Sequence, residues 1–191
     1  MKNSQSGKIL HLDAKELLED RLAASLGLDR YSYIMRMFRE VNVSLDEDFQ
    51  RTFNAFYRVR KNSAWRAQYY ALFERAKHED LDYEYILRAL YKSSGNIEAS
   101  FTSKLVATID PDSPIIDQYV LQNLGIAISG PGKDTRLRTA ISAYHSLKSW
   151  YESYIHTDEA RKNIAVFDKM LPSYTWISDT KKIDYLLWAK R

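Results

Sequence analysis

The stretch 95–126, GNIEASFTSKLVATIDPDSPIIDQYVLQNLGI, decides how this chain of 191 residues folds. Gly95 suits the left-handed position that closes a helix, and a tight hairpin follows it before a short helix over about 99–108. Asp110-Pro111-Asp112 has the composition of a turn. Ser113-Pro114 then opens another helix, with Pro in the first turn where its missing N–H costs nothing. Ile116, Tyr119, Val120 and Leu124 make one apolar stripe of that helix before Gly125 ends it.

Helical signals continue on both sides. Asp82 caps a segment in which Tyr83, Ile86, Leu87, Leu90 and Tyr91 follow the spacing of one buried helix face. Before it, Asp13 starts a run closed by Gly27, and Asp29 caps a second run to about Glu40. The capping-box pattern Ser44-Leu45-Asp46-Glu47 opens a helix to about Arg60, and Lys61-Asn62-Ser63 breaks the chain before another to about Lys77. After the loop Gly130-Pro131-Gly132, the residues Leu137, Ala140, Ile141, Tyr144, Leu147 and Tyr151 mark a long helix. Two more follow over 158–171 and 178–190. Six Gly and four Pro are too few for the many turns of a sandwich or barrel, and 45% apolar residues fill a core. The expectation is an all-α chain, 1–191, folded as one domain or as two small lobes around a cleft.

Composition narrows the chemistry. The chain has no Cys, which removes thiolate nucleophiles, Fe–S clusters and Cys-ligated zinc. His11, His78, His145 and His156 form no i,i+4 pair, so neither a metal nor a cofactor is expected. No apolar run approaches the roughly 20 residues that cross a bilayer, and residues 1–8 lack the apolar core of a signal peptide. The expected chain is therefore soluble and cytoplasmic, with no membrane partner.

The net charge of +3 is unevenly spread. Residues 49–73 contain no acid, yet Arg51, Arg58, Arg60, Lys61 and Arg66 lie there among eight aromatic residues, including Phe53, Tyr57, Trp65 and Tyr69. Bases that neutralise phosphates and rings that stack on unpaired bases are what a nucleic-acid surface requires. The same pattern also describes a helix pair with an aromatic core face and a solvated basic face. Both readings stay open from sequence.

The block Pro114-Ile115-Ile116-Asp117-Gln118-Tyr119-Val120, followed by Leu124-Gly125, resembles the Pro-Val-Asp-Thr-His-Val … Leu-Gly block of the helix-hairpin-helix DNA glycosylase superfamily (the HhH-GPD fold). Ser100-Phe101-Thr102-Ser103-Lys104 stands where that family has its Gly-hydrophobic-Gly-x-Lys hairpin. The pattern S-F-x-S-K-L, then P-I-x-D-x-x-V, then Lys182-Ile183-Asp184-Tyr185-Leu186-Leu187-Trp188 is similar to small bacterial glycosylase-like proteins of the superfamily. The chain departs from the family in having Ser100 and Thr102 in place of glycines, Tyr119 in place of His, and Lys104 and Asp117 only 13 residues apart.

The resemblance implies a two-lobed array of about nine or ten helices with a helix-hairpin-helix element. Its cleft would lie between an N- and C-terminal lobe and a central lobe around 80–126. The implied activity is base excision, a hydrolase reaction in which a DNA glycosylase flips a modified base from double-stranded DNA and cleaves its N-glycosidic bond. Asp117 would stabilise positive charge on the sugar, and Lys104 would be the nucleophile that adds AP-lyase activity. Ser100, Thr102, Ser103, Arg58, Arg60, Lys61 and Arg66 would bind DNA, and Phe53 and Tyr57 would form the base pocket. The protein would be a monomer active in DNA repair, nucleoid-associated if bacterial. Each key residue has a plainer role beside this one: Asp117 as a helix cap and Lys104 as a solvated helix residue. Trp150, Trp176 and Trp188 read as core anchors, and Asp184 as a surface or helix-end group. A catalytically inactive DNA-binding module of the same fold and a helical protein-interaction protein are the rivals.

Overall fold

The computed structural model describes residues 11–19 and 27–190 and is all helical, with no strand among those residues. Most of the described helices begin where a short polar side chain accepts a free backbone N–H group; those starting at Leu28, Ala99 and Gly132 do not. Helix α1 (Ala14–Glu19) follows Asp13, whose Oδ1 accepts the Lys15 and Glu16 amides. Residues 20–26, through which the sequence extends this run, lie outside the described residues. Helix α2 (Leu28–Glu40) is preceded by Gly27 rather than capped by Asp29.

Helix α3 (Glu47–Tyr57) is a correction to the capping box: Asp46, not Ser44, caps it, accepting the Phe49 amide at 2.7 Å. It also ends earlier than the sequence suggests, because Arg58 turns into the left-handed region with φ of 56°. Asn62 caps α4 (Ser63–Ala76), and Asp82 caps α5 (Tyr83–Ser94), which Gly95 closes. Helix α6 (Ala99–Ile109) comes next. Residues 113–116 are not helical, so Ser113-Pro114 does not open a helix; Asp117 caps α7 (Gln118–Leu124) instead. The long α8 (Gly132–Tyr154), α9 (Asp158–Met170), a 3-10 turn (Pro172–Tyr174) and α10 (Asp179–Ala189) complete the chain.

Two apolar cores share α2 and α5. One gathers residues from α1 and α8 to α10, with Tyr83 stacked on Tyr144 at 3.7 Å between ring centroids. Asn163 ties the two ends of the chain together here, accepting the Ala14 amide and donating to the Leu12 carbonyl. The other core is central, built by α3, α4 and parts of α2, α5 and α6. The segment 80–126 contributes to both cores. It divides between the cores: Ile86, Leu90 and Leu105 face one, Tyr83, Leu87 and Val120 the other.

The aromatic stretch resolves in favour of the core reading. Phe49, Phe53, Tyr69, Tyr70 and Phe73 are fully buried and pack ring against ring. Phe53 is thus a core residue with no access to a ligand, a correction to its place in a base pocket. Phe53→Ala is expected to cost about 3–5 kcal/mol of stability in denaturant unfolding. Ligand binding by the folded fraction should then be unchanged.

Candidate active site

One hydrogen bond sets the geometry of the site. Ser103 is buried on α6; its hydroxyl donates to the Ser100 carbonyl at 3.0 Å and accepts the Ile116 amide at 2.9 Å. The non-helical segment 113–116 is thereby fastened along α6. The next residue in each strand of chain, Lys104 and Asp117, then reaches the same cleft. Ser103 is therefore a fastener within the fold. Thr102 is equally buried, its hydroxyl bonded to the Glu98 carbonyl at 3.0 Å. Neither hydroxyl faces solvent, and both correct the expectation that they contact DNA. Ser100, Thr102 and Ser103 all lie inside α6, whereas the hairpin itself is 95–98.

The cleft has a volume of about 290 Å³, close to the lower end of small-ligand sites. Its walls come from four parts of the chain: Arg30 of α2, Phe56 to Arg58 at the end of α3, Lys104 and Asp117, and one face of α10. That face carries Lys181, Asp184, Tyr185 and Trp188. Tyr57 lines the cleft wall. A wider hollow on the hairpin side of Asp117, lined by Ile97, Phe101, Leu121 and Arg136, lacks Lys104. We place the site in the narrower cleft because both chemically active groups face it.

Lys104 is not a solvated helix residue. Its Nζ donates to the Tyr57 carbonyl at 3.1 Å and lies 5.0 Å from the Phe101 ring centroid. Burial lowers its pKa to about 8; Asp117 and Asp184 oppose the shift, while Lys181 and Arg58 assist it. Roughly a tenth of the amine is therefore free at pH 7, against almost none for a solvated lysine. Asp117 is the helix cap, its Oδ1 accepting the Tyr119 amide of α7 at 2.9 Å, and the residue also lines the cleft.

Sequence reasoning missed the α10 contribution. Asp184 is buried, not superficial. Its Oδ2 accepts from Lys181 Nζ at 2.6 Å and its Oδ1 from the Tyr151 hydroxyl at 3.2 Å. The Lys181–Asp184 spacing of i,i+3 resembles an ordinary surface pair, and only the apolar residues around it in the sequence hint at burial. Of the three tryptophans read as anchors, Trp188 is half-buried in the cleft wall and Trp150 half-buried on Tyr154. Trp176 is 51% exposed, stacked on Tyr31.

The basic residues separate. Arg58 is exposed at the cleft, its guanidinium 5.9 Å from the Trp188 ring centroid, and Arg60 is exposed two residues on. Lys61 instead pairs with the buried Glu98 at 2.6 Å and lies over Trp65 and Phe101, and Arg66 is half-buried outside the cleft. No group of His and carboxylates able to hold a metal exists among the described residues, and no helix there is long and apolar enough to cross a membrane.

Two outcomes follow. Below pH 8 the folded protein holds a buried ammonium at Lys104, a penalty relieved as pH rises toward 10.5, where the amine is neutral folded or unfolded. Lys104→Met is accordingly expected to stabilise the fold at pH 7 by about 1–3 kcal/mol, a gain that shrinks across that window in pH-dependent denaturant unfolding. Ser103→Ala strands the buried Ile116 amide and should cost about 1–3 kcal/mol. The chain matches no protein-family model, no curated protein and no solved structure.

Proposed function

We propose that the chain is a DNA glycosylase-like enzyme acting on a modified base flipped out of duplex DNA, with Lys104 as nucleophile and Asp117 as its charge-stabilising partner. The observation that carries this reading is the shared cleft: an amine lowered to about 8 beside a carboxylate, between aromatic walls. A free amine is the form that can attack a sugar carbon. A carboxylate close by favours the positive charge that grows on the sugar ring as the base departs. Phe56, Tyr57 and Trp188 offer rings against which an extrahelical base can rest, and Arg30, Arg58 and Arg60 are exposed cations for its flanking phosphates.

The reaction balances without a cofactor. The Lys104 nitrogen forms a bond to C1′ as the C1′–N bond to the base breaks, and the base leaves with that electron pair and takes up a proton. The attacking nitrogen loses a proton, the ring C1′–O4′ bond opens with a proton passing to O4′, and an imine joins Lys104 to the sugar. Borohydride adds hydride to that imine and fixes the protein to DNA.

The test is borohydride trapping on labelled duplexes carrying oxidised, alkylated, deaminated or bulky bases. Trapping with the wild type and none with Lys104→Met supports the proposal, and its rate should rise with pH to a plateau with a midpoint near 8. Three phosphate contacts correspond to a binding slope of about −2 to −3 in log K against log salt, which Arg58→Glu should reduce. Salt-sensitive binding without cleavage of any substrate would mean an inactive DNA-binding module. Absence of both would leave a protein-interaction role.

A further inference from the structure

The Lys181–Asp184 pair is unusual in its position. Both side chains are about nine-tenths buried, yet both border the cleft. Replacing a buried ion pair by apolar side chains is often neutral or stabilising, so the pair is weakly explained by stability alone. Its geometry is tightly fixed. Lys181 Nζ is held by Asp184 and lies 4.8 Å from the Tyr185 ring centroid and 5.5 Å from that of Tyr31. Asp184 is held in turn by Tyr151 from α8. The fold thus anchors one ammonium in a cleft that already contains another.

We propose that Lys181, clamped by Asp184 in the wall of the same cleft, is a positioning residue for Lys104: a fixed second cation that disfavours a charge on the Lys104 amine. The proposal deepens the reading above, since it assigns a role within the same site. Lys104 is faced by Tyr57 and Arg58 from α3, Arg30 from α2, Asp117, and Lys181, Asp184 and Tyr185 from α10. Helices α5 and α8 place no residue in the cleft lining; Tyr151 of α8 stands behind Asp184. Among these groups Lys181 and Arg58 disfavour a charge on Lys104, and the two carboxylates favour it. Arg58 is exposed and its influence is weakened by solvent and salt, whereas Lys181 acts through protein interior. The carboxylate that fastens Lys181 thus opposes its effect, and substitution of either member has a predictable sign.

The experiment titrates Lys104 directly in the full chain, by competitive acetylation with acetic anhydride at graded pH and mass-spectrometric readout of the Lys104 peptide. It requires neither DNA nor activity. Lys181→Met removes the cation and leaves Asp184, so the midpoint for Lys104 should rise by about half a unit or more. Asp184→Asn leaves the cation and should lower it. Lys181→Arg should retain the wild-type midpoint. Opposite displacements by the two single variants establish the positioning role. An unmoved midpoint in both, or displacement of both in the same direction, overturns it. Should Lys181→Met fail to fold, Lys181→Gln, which also removes the cation but keeps a polar end for Asp184, takes its place under the same criterion. Opposite displacements without trapping on any DNA would retain this proposal and overturn the glycosylase reading. Trapping with unmoved midpoints would do the reverse.

Discussion

The Ile116 amide, held by the Ser103 hydroxyl inside the protein, is the constraint on which the site depends. Segment 113–116 is buried but belongs to no helix, so its backbone N–H groups need partners from elsewhere. A serine one residue before Lys104 supplies one of them. The register of the two segments is then fixed, and an amine and a carboxylate thirteen positions apart line the same cleft. Asp117 completes the arrangement by capping α7, which holds its backbone in an extended conformation instead of letting a helix carry it away.

The electrostatics of the cleft depend on that placement and on α10. Lys104, Lys181, Asp117 and Asp184 are balanced in formal charge, and Arg30 and Arg58 add an excess of positive charge at the exposed edge. An anionic ligand is therefore drawn to the cleft, while the interior holds paired groups. Burial penalises the charged form of Lys104 and so lowers its pKa.

Much of the helical outline could be read from the sequence because it rests on local chemistry. Asn62, Asp82 and Gly95 terminate helices by hydrogen bonds or backbone conformations that a few neighbouring residues determine. The reading failed where tertiary contacts outweighed local preference. Ser44 lost its cap to Asp46 two residues later, and the Ser113-Pro114 segment was pulled straight by Ser103. Lys104 and Asp117 were legible as a pair only through a motif, since periodicity could not bring them together. Lys181 and Asp184 carried the spacing of a solvated pair, and their burial depends on α8 and on Tyr31. The basic, aromatic stretch carried two meanings at once, and the core claimed its rings while the exposed edge kept Arg58 and Arg60.

Helix α10 brings four cleft residues from a part of the chain more than sixty positions beyond Asp117. During synthesis, Lys104 and Asp117 leave the ribosome well before the surface that completes their surroundings. Until α10 docks, the Lys104 ammonium remains open to water on that side and keeps more of its proton. The lowered pKa of Lys104 is thus a property of the finished molecule, set only once the last helix lies against the cleft.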